Sequence, residues 1–193
     1  MTLRVLAACA LRVLAAPPAS AQAPAARSVT TYRVDPARST ITYAMSHPAH
    51  DWNGTSRAVV GTLAIGGDGV VTGGRVAAPV TSFDSGNRNR DANMVEATEA
   101  YVHRNVTFEL GRLTPLERPT PTANATAEGA LTFHGVRRAV RLPVRVDRTT
   151  DGLRVRGQFD VTLTEFEVEP PSLLGLRVRD RIGLTLDLAF IRS

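Results

Sequence analysis

The sequence predicts an all-β protein, an eight-stranded antiparallel lipocalin-like barrel with one short helix between strands 3 and 4. Two observations predict this fold. Apolar and polar residues alternate along most of the chain after residue 30, which is the period of a half-buried strand. Clusters of Gly, Pro, Asp and Thr separate the alternating segments. We favour closure over an open meander because closure removes exposed strand edges, and a β-sandwich is the alternative.

Each predicted strand places its apolar residues on one face. In chain order, these residues are Ile41, Tyr43 and Met45; Val59, Gly61, Leu63 and Ile65; Val76, Ala78 and Val80; Val106, Phe108 and Leu110; Leu131 and Phe133; Val140, Leu142, Val144 and Val146; Leu153, Val155, Phe159, Val161 and Leu163; and Ile182, Leu184, Leu186, Leu188 and Phe190. The helix is predicted over Asn89 to Ala100, and it is short enough to cover one end of the barrel.

Length and composition fit one domain with a short N-terminal extension. The chain has 193 residues, of which 43% are hydrophobic and 21% charged, and no apolar run reaches the ~18 residues of a membrane span. Its single cysteine, Cys9, excludes an intrachain disulfide and any cysteine-based metal cluster. We expect a signal peptide over residues 1–21, a flexible leader over 22–30 and the barrel domain over 31–193.

The N-terminal segment has the pattern of a secretory signal. Arg4 precedes an apolar stretch, and Ala19-Ser20-Ala21 forms an A-x-A cleavage site. We therefore expect location in the periplasm or secretion. Residues 6–9 also resemble a lipoprotein lipobox, and this alternative requires that the true start lie upstream of Met1.

The basic charge of the chain is weak evidence for an acidic partner. All 23 basic residues are arginine, they are scattered, and few aromatic residues lie between them, so nucleic-acid binding is not expected. Two neighbouring strands nevertheless predict a basic stripe outside the barrel, made by Arg137, Arg141, Arg145, Arg154 and Arg156. A solvated face is the simpler explanation, while contact with an anionic membrane surface is the functional one.

Catalytic and metal-binding patterns are weak. His47 and His50 are close in sequence, but Pro48 is expected to end the strand and leave His50 in a loop, so no metal site is predicted. Residues 165, 167 and 169 are glutamates, which we interpret as the outer face of a strand. No nucleophile elbow and no nucleotide-binding loop is present, and we predict neither an enzyme nor a cofactor.

The inward-facing residues are the most informative feature. Large side chains are expected to converge with small ones such as Gly61, Ala78 and Gly157. An eight-stranded barrel either fills its interior with side chains or holds one small ligand, and the sequence leaves these two outcomes evenly balanced.

Four stretches of the chain resemble the YceI-like family of exported bacterial lipocalin-like proteins, between Tyr32 and about Phe190. They are Tyr32-Arg33-Val34-Asp35 with Ser39, Ile41 and His47; Arg90-Asp91 with Met94, Tyr101, Val106 and Phe108; Gly129 to Arg138 continuing to Leu142-Pro143-Val144; and Thr164-Glu165-Phe166 with residues 178–182. In this chain, Glu167 stands where the family usually has glycine after the aromatic residue.

The resemblance implies a barrel that binds a polyisoprenoid, an isoprenoid quinone or a similar amphipathic lipid. The ligand-binding residues expected on this basis are Tyr43, Met45, His47, Leu63, Arg90, Phe108, Phe133, Leu142, Phe159 and Phe166. Among them, Tyr43, His47 and Arg90 are expected to make polar contacts near an opening. A homodimer is a further partner interaction that the sequence leaves open. The rival functions are a filled barrel that acts as a stress-related interaction module through its basic surface and, less favoured, an enzyme that uses His47.

Overall fold

In the computed structural model, the structure describes residues 28–48, 50–114, 122–173 and 176–193. The predicted signal peptide, Cys9 and most of the predicted leader lie outside these residues. The strands are β1 (Val29–Val34), β2 (Thr40–His47), β3 (His50–Ser56), β4 (Val60–Gly66), β5 (Val71–Pro79), β6 (Asn105–Thr114), β7 (Thr122–Phe133), β8 (Val136–Arg148), β9 (Gly152–Thr162), β10 (Ser172–Leu173), β11 (Leu176–Arg177) and β12 (Arg181–Arg192).

The strands form a closed eight-stranded antiparallel barrel in the order β1-β4-β5-β6-β7-β8-β9-β12, and β12 pairs back with β1. This confirms the predicted fold class. β12 also pairs with β2, and β2 pairs with β3, so the β2–β3 hairpin is attached to the barrel beside β1. β10 and β11 form a small separate sheet.

The two ends of the barrel differ. The β4–β5 and β8–β9 turns lie at one end, together with the start of β1 and the end of β12, and we call it the mouth end. The β2–β3 and β7–β8 turns lie at the opposite end with the single α-helix of the described residues, α1 (Arg88–Ala97), and we call it the helix end. None of the helices in the described ranges is long and apolar enough to cross a membrane.

The helix begins close to its predicted start and ends earlier than predicted. The Asn87 side chain caps it by accepting hydrogen bonds from the backbone N–H groups of Asn89 and Arg90. It stops at Ala97 because Thr98 leaves the helical conformation and Glu99 adopts a left-handed φ of 45°. Its position between β5 and β6 agrees with the prediction.

Four strands were not predicted from the pattern, namely β1, β3 and the short strands β10 and β11. β1 begins at Val29, inside the predicted leader. The segment after Pro48 was expected to be a loop, but His50 begins β3 and pairs directly with His47 across a tight hairpin. Proline is tolerated in that hairpin turn because its missing N–H is not needed by the strand ladder there.

The interpretation of residues 165, 167 and 169 as the outer face of a strand was wrong. Thr164–Phe166 is a single 3₁₀ turn, and Glu167 follows it with a left-handed φ of 59°. Phe166 is 1% exposed and packs inward from this turn. Glu165 and Glu167 therefore lie on a turn at the helix end, and Glu169 follows it outside any strand. The left-handed conformation of residue 167 normally favours glycine.

The left-handed conformation of Glu167 makes a stability prediction. Because a side chain in that region costs about 1–2 kcal/mol, Glu167→Gly should be more stable than Glu167→Ala by about 1 kcal/mol. Urea unfolding of the two variants measures the difference, and both remove the same exposed glutamate. Equal stabilities would show that residue 167 does not hold this conformation in solution.

Candidate functional site

A cavity of about 410 Å³ occupies the interior of the barrel and reaches the mouth end. Most of its wall is aliphatic or aromatic, and the polar groups include a cluster from the β8–β9 turn. The main wall residues are Leu63, Ile65, Val71, Val76, Phe83, Val106, Phe108, Leu110, Ala123, Ala125, Ala127, Leu131, Leu142, Val144, Val146, Leu153, Val155, Phe159, Leu184, Leu186, Leu188 and Phe190.

A gradient of side-chain size along β7 creates this space. Toward the mouth, its inward residues are Ala123, Ala125 and Ala127, all of which line the cavity. Toward the helix end, its inward residues are Leu131 and Phe133. Three consecutive inward alanines leave the mouth half of the barrel underfilled, because larger side chains would be needed to pack the interior there.

The helix end of the barrel is filled. Phe166 packs with Leu131 and Val161 in a buried cluster, and its ring centroid lies 5.9 Å from that of Phe133. These residues form the floor of the cavity. The interior is thus packed at the helix end and hollow at the mouth end. The sequence predicts either a filled interior or a ligand cavity, and each of these applies to one half of the barrel.

The expected ligand-binding residues fall into two groups. Leu63, Phe108, Leu142 and Phe159 line the cavity. The other six are not among the described residues that line the cavity. Of these, Phe133 and Phe166 form the floor, and Met45 packs against the core cluster that contains Tyr43.

The three residues expected to make polar contacts near an opening lie toward the helix end, whereas the cavity opens at the mouth end. Tyr43 is buried, with its ring centroid 5.7 Å from that of Phe83, and burial together with the nearby Asp91 carboxylate raises its pKa. His47 is 3% exposed, and its ring lies 5.7 Å from His50. The sequence placed the opening beside the strand that ends in His47, but α1 and the β2–β3 hairpin cover that end.

Arg90 belongs to the same covered end. Its guanidinium lies 5.3 Å from the centre of the Trp52 ring, which is a cation–π contact. The Trp52 ring in turn lies 5.3 Å from the ring of His50. Arg90 therefore fastens α1 to the β2–β3 hairpin, and in this position it is remote from the cavity mouth.

The mouth carries polar residues that the sequence analysis did not single out. Arg148, Thr149, Thr150, Asp151 and Arg192 belong to the cavity wall there. The turn sequence 149–152, directly after a strand, is the one sequence signal for these polar residues. Only the register of the barrel shows that this turn and the end of β12 meet at the opening.

Asp151 is already engaged at the mouth. Arg38 donates a hydrogen bond of 2.7 Å to Asp151, and it also contacts Asp35 at 2.7 Å. Hydrogen bonds from Arg38 and from Thr149 lower the pKa of the Asp151 carboxyl, so it stays ionised and bound to Arg38. The cross-strand partners of Arg148 and Arg192 are Leu153 and Tyr32, neither of which is acidic.

The predicted basic stripe is wrong, because its arginines are paired with carboxylates. The pairs are Arg137–Glu109 at 2.9 Å, Arg141–Glu128 at 2.5 Å, Arg145–Asp147 at 3.1 Å, Arg154–Asp187 at 2.6 Å and Arg156–Asp147 at 2.9 Å. Four of these pairs join residues on the same or neighbouring strands, whereas Glu109 on β6 reaches Arg137 on β8 across β7. The sequence could not show this because register determines which residues face each other.

An antiparallel barrel with an apolar internal cavity open at one end is the architecture of the lipocalin-like class. Within that class, the chain belongs to the YceI-like domain family, whose model matches residues 32–190. A comparison with curated protein sequences found no match.

Solved structures of similar proteins share the fold. BcnA of Burkholderia cenocepacia aligns with a TM-score of 0.68 and 17% identity over 80% of this chain and 98% of that chain. A polyisoprenoid binding domain from Saccharophagus degradans, implicated in plant cell wall breakdown, aligns with 0.67 and 13% over 84% and 98%. The Campylobacter jejuni YceI protein aligns with 0.51 and 16% over 64% and 73%.

The open half of the barrel should tolerate a larger side chain where the filled half does not. We expect Ala127→Leu, in the cavity wall, to change the free energy of unfolding by less than about 1 kcal/mol. Ala78→Leu inserts the same side chain at a position that is 0% exposed and should cost about 1–3 kcal/mol. Chemical denaturation compares the two, and equal losses would mean that the cavity is closed in solution.

The paired exterior predicts a pH dependence at Asp187. Hydrogen bonds from Arg154 hold the pKa of this carboxyl below its ordinary value of 3.8. A lowered pKa stabilises the fold above about pH 4, and this stabilisation is lost as the pH falls through the folded-state pKa.

Asp187→Asn should therefore lower the free energy of unfolding by about 1 kcal/mol at pH 7, and by less at pH 3, where the carboxyl of the unfolded chain, at its ordinary pKa of 3.8, is already largely protonated. Urea unfolding at the two pH values measures both differences. Glu169→Gln, at a carboxylate that is 81% exposed, is the control and should change little. A loss at Asp187 that is the same at both pH values would contradict the assignment.

Proposed function

We propose that this protein is exported to the periplasm or secreted, and that it sequesters or carries a polyisoprenoid, an isoprenoid quinone or a similar amphipathic lipid in the barrel cavity. The observation that carries the proposal is the apolar cavity of about 410 Å³ with its opening at the mouth end. The signal-peptide pattern of residues 1–21 supports export.

The chemistry of the wall supports an apolar chain as the ligand. Moving a CH₂ group from water into such a wall contributes about 0.8 kcal/mol, and this adds along a hydrocarbon tail. The aliphatic and aromatic residues of the wall make no directional demand on the tail, so they fit a repeated apolar unit. One structural neighbour of the same fold is described as a polyisoprenoid binding domain, which agrees with this class of ligand.

The mouth supports a polar or anionic headgroup. Arg148 and Arg192 belong to the cavity wall at the opening, and the neighbouring acid, Asp151, is engaged by Arg38. Guanidinium groups donate paired hydrogen bonds to phosphate or to a quinone oxygen. In this arrangement the tail lies against the alanines of β7 and the headgroup stays at the mouth, which is binding without a chemical step.

The cavity-filling variant tests the site directly. The wild-type protein, purified from a bacterial host and extracted with organic solvent, is expected to release a stoichiometric isoprenoid or quinone detected by mass spectrometry. Ala127→Leu should reduce this occupancy, and its affinity for an added polyprenol, at least tenfold because leucine occupies the tail's space. Ala139→Leu, on the exposed face of β8, is the matched control and should bind like the wild type.

A protein that stays folded but carries no lipid, and takes up none from an added polyprenol or quinone, would overturn the proposal. Equal binding by the Ala127→Leu variant and the wild-type protein would place the ligand outside the cavity.

The headgroup contacts can be separated from the tail contacts. The double variant Arg148→Ala/Arg192→Ala should weaken binding of a polyprenyl phosphate about tenfold or more, while binding of the uncharged polyprenol changes little, because only the phosphate needs the guanidinium groups. Arg90→Ala removes an arginine at the helix end and should leave both affinities unchanged. The reverse pattern would move the headgroup site to the helix end.

A further inference from the structure

Three metal-ligating side chains meet at the helix end, outside the cavity. Glu99 and His103 lie in the turn after α1, and His134 lies in the β7–β8 turn. One ligand atom from each residue lies within 4.8 Å of the others. Spacing along the sequence indicates only His47 and His50 as a histidine pair, because His103 and His134 are distant in sequence.

The local backbone holds these residues in place. The Glu99 carbonyl accepts hydrogen bonds from the N–H groups of Val102 and His103, which forms a tight turn that brings His103 back toward Glu99. His134 and Gly135 have φ of 50° and 76°, as in a two-residue hairpin turn. A Cβ on Gly135 would lie 2.6 Å from His103 Cε1, so the His103 ring occupies the space that glycine leaves.

His134 is already oriented as a ligand. Its Nδ1 lies 3.1 Å from the backbone carbonyl of Phe166, and a carbonyl can only accept, so Nδ1 carries the proton and donates. In the neutral ring the Nε2 lone pair is then free. Nε2 is buried, has no hydrogen-bond partner and faces the Glu99 carboxylate at 3.6 Å. Metal-ligating histidines commonly donate their second ring N–H to a carbonyl in this way.

The donor set fits a borderline divalent transition metal. Two imidazoles and one carboxylate suit Zn²⁺, which takes such ligands at about 2.0–2.2 Å and leaves a fourth position to water. In that geometry the donor atoms lie about 3.3 Å apart. The Glu99 oxygen is 3.6 Å from His134 Nε2 and 3.9 Å from His103 Nε2, so small side-chain rotations would close the site. Glu99 is 62% exposed, which gives an ion access from solvent.

We propose that Glu99, His103 and His134 bind a divalent transition-metal ion of the zinc class. The ion would join the turn after α1 to the β7–β8 hairpin. Through the His134–Phe166 hydrogen bond it would also hold the residue that forms the cavity floor. Binding of a ligand to the folded state alone raises its stability, so the site fastens the closed end of the barrel.

The test is calorimetric titration of the purified, metal-free protein with Zn²⁺ alone. We expect one ion per chain with a dissociation constant in the micromolar range or below, and visible d–d absorption of a tetrahedral complex when Co²⁺ replaces Zn²⁺. His103→Ala and Glu99→Gln should each weaken Zn²⁺ binding at least tenfold. Zn²⁺ should raise the Tm of the wild type and not that of His103→Ala.

Two matched controls distinguish this site from other ligands. Glu96→Gln changes a nearby exposed carboxylate on α1, and His50→Ala changes the other close histidine pair, and both should bind Zn²⁺ like the wild type. Loss of binding in His50→Ala would place the ion at the β2–β3 hairpin and overturn the proposal. Absence of saturable binding in the wild type would also overturn it. Equal melting temperatures of His103→Ala and the wild type in a chelator would show that the variant folds.

Discussion

The closure of the barrel along β12 is the constraint on which the rest of the structure depends. β12 pairs with β9 along one edge, while on its other edge the partner changes from β2 to β1. At that change, Asp35 N–H donates to the Ala189 carbonyl at 2.8 Å, and the Ser39 hydroxyl accepts from the Ala189 N–H at 3.0 Å. Ser39 is 0% exposed, and these bonds satisfy backbone groups that would otherwise be buried without partners.

Once the barrel is closed, its interior must be either filled or left as a cavity, and this chain does both. Phe133 and Phe166 fill the helix end, and the alanines of β7 leave the mouth end open. The helix end is also covered from outside by α1, which Arg90 fastens to Trp52. Among the described residues, the cavity therefore reaches the surface at the mouth, which is also where its polar wall residues lie.

The sequence predicted local structure well and three-dimensional neighbours poorly. Alternation predicts most barrel strands because period two follows from the pleat of each strand alone. β3 was missed because Pro48 was interpreted as a break and not as a hairpin turn. Leu63 and Phe108 could be predicted to face the interior because side chains alternate between the two faces of a strand, and both residues line the cavity. The position of the opening could not be predicted, because it depends on which turns meet at each end.

The same reasoning applies to the arginines, which have different roles according to their position along a strand. On the outer wall, a carboxylate lies beside each of the five arginines of the predicted stripe, as Glu128 lies opposite Arg141. At the strand ends, Arg148 and Arg192 face Leu153 and Tyr32, so the strand ladder offers them no acid as a cross-strand partner. Positive charge is thus neutralised along this stripe, while Arg148 and Arg192 have no ion pair among the described residues at the rim of the apolar cavity. An apolar tail with a polar or anionic head complements both features, since each half of such a molecule meets its matching surface.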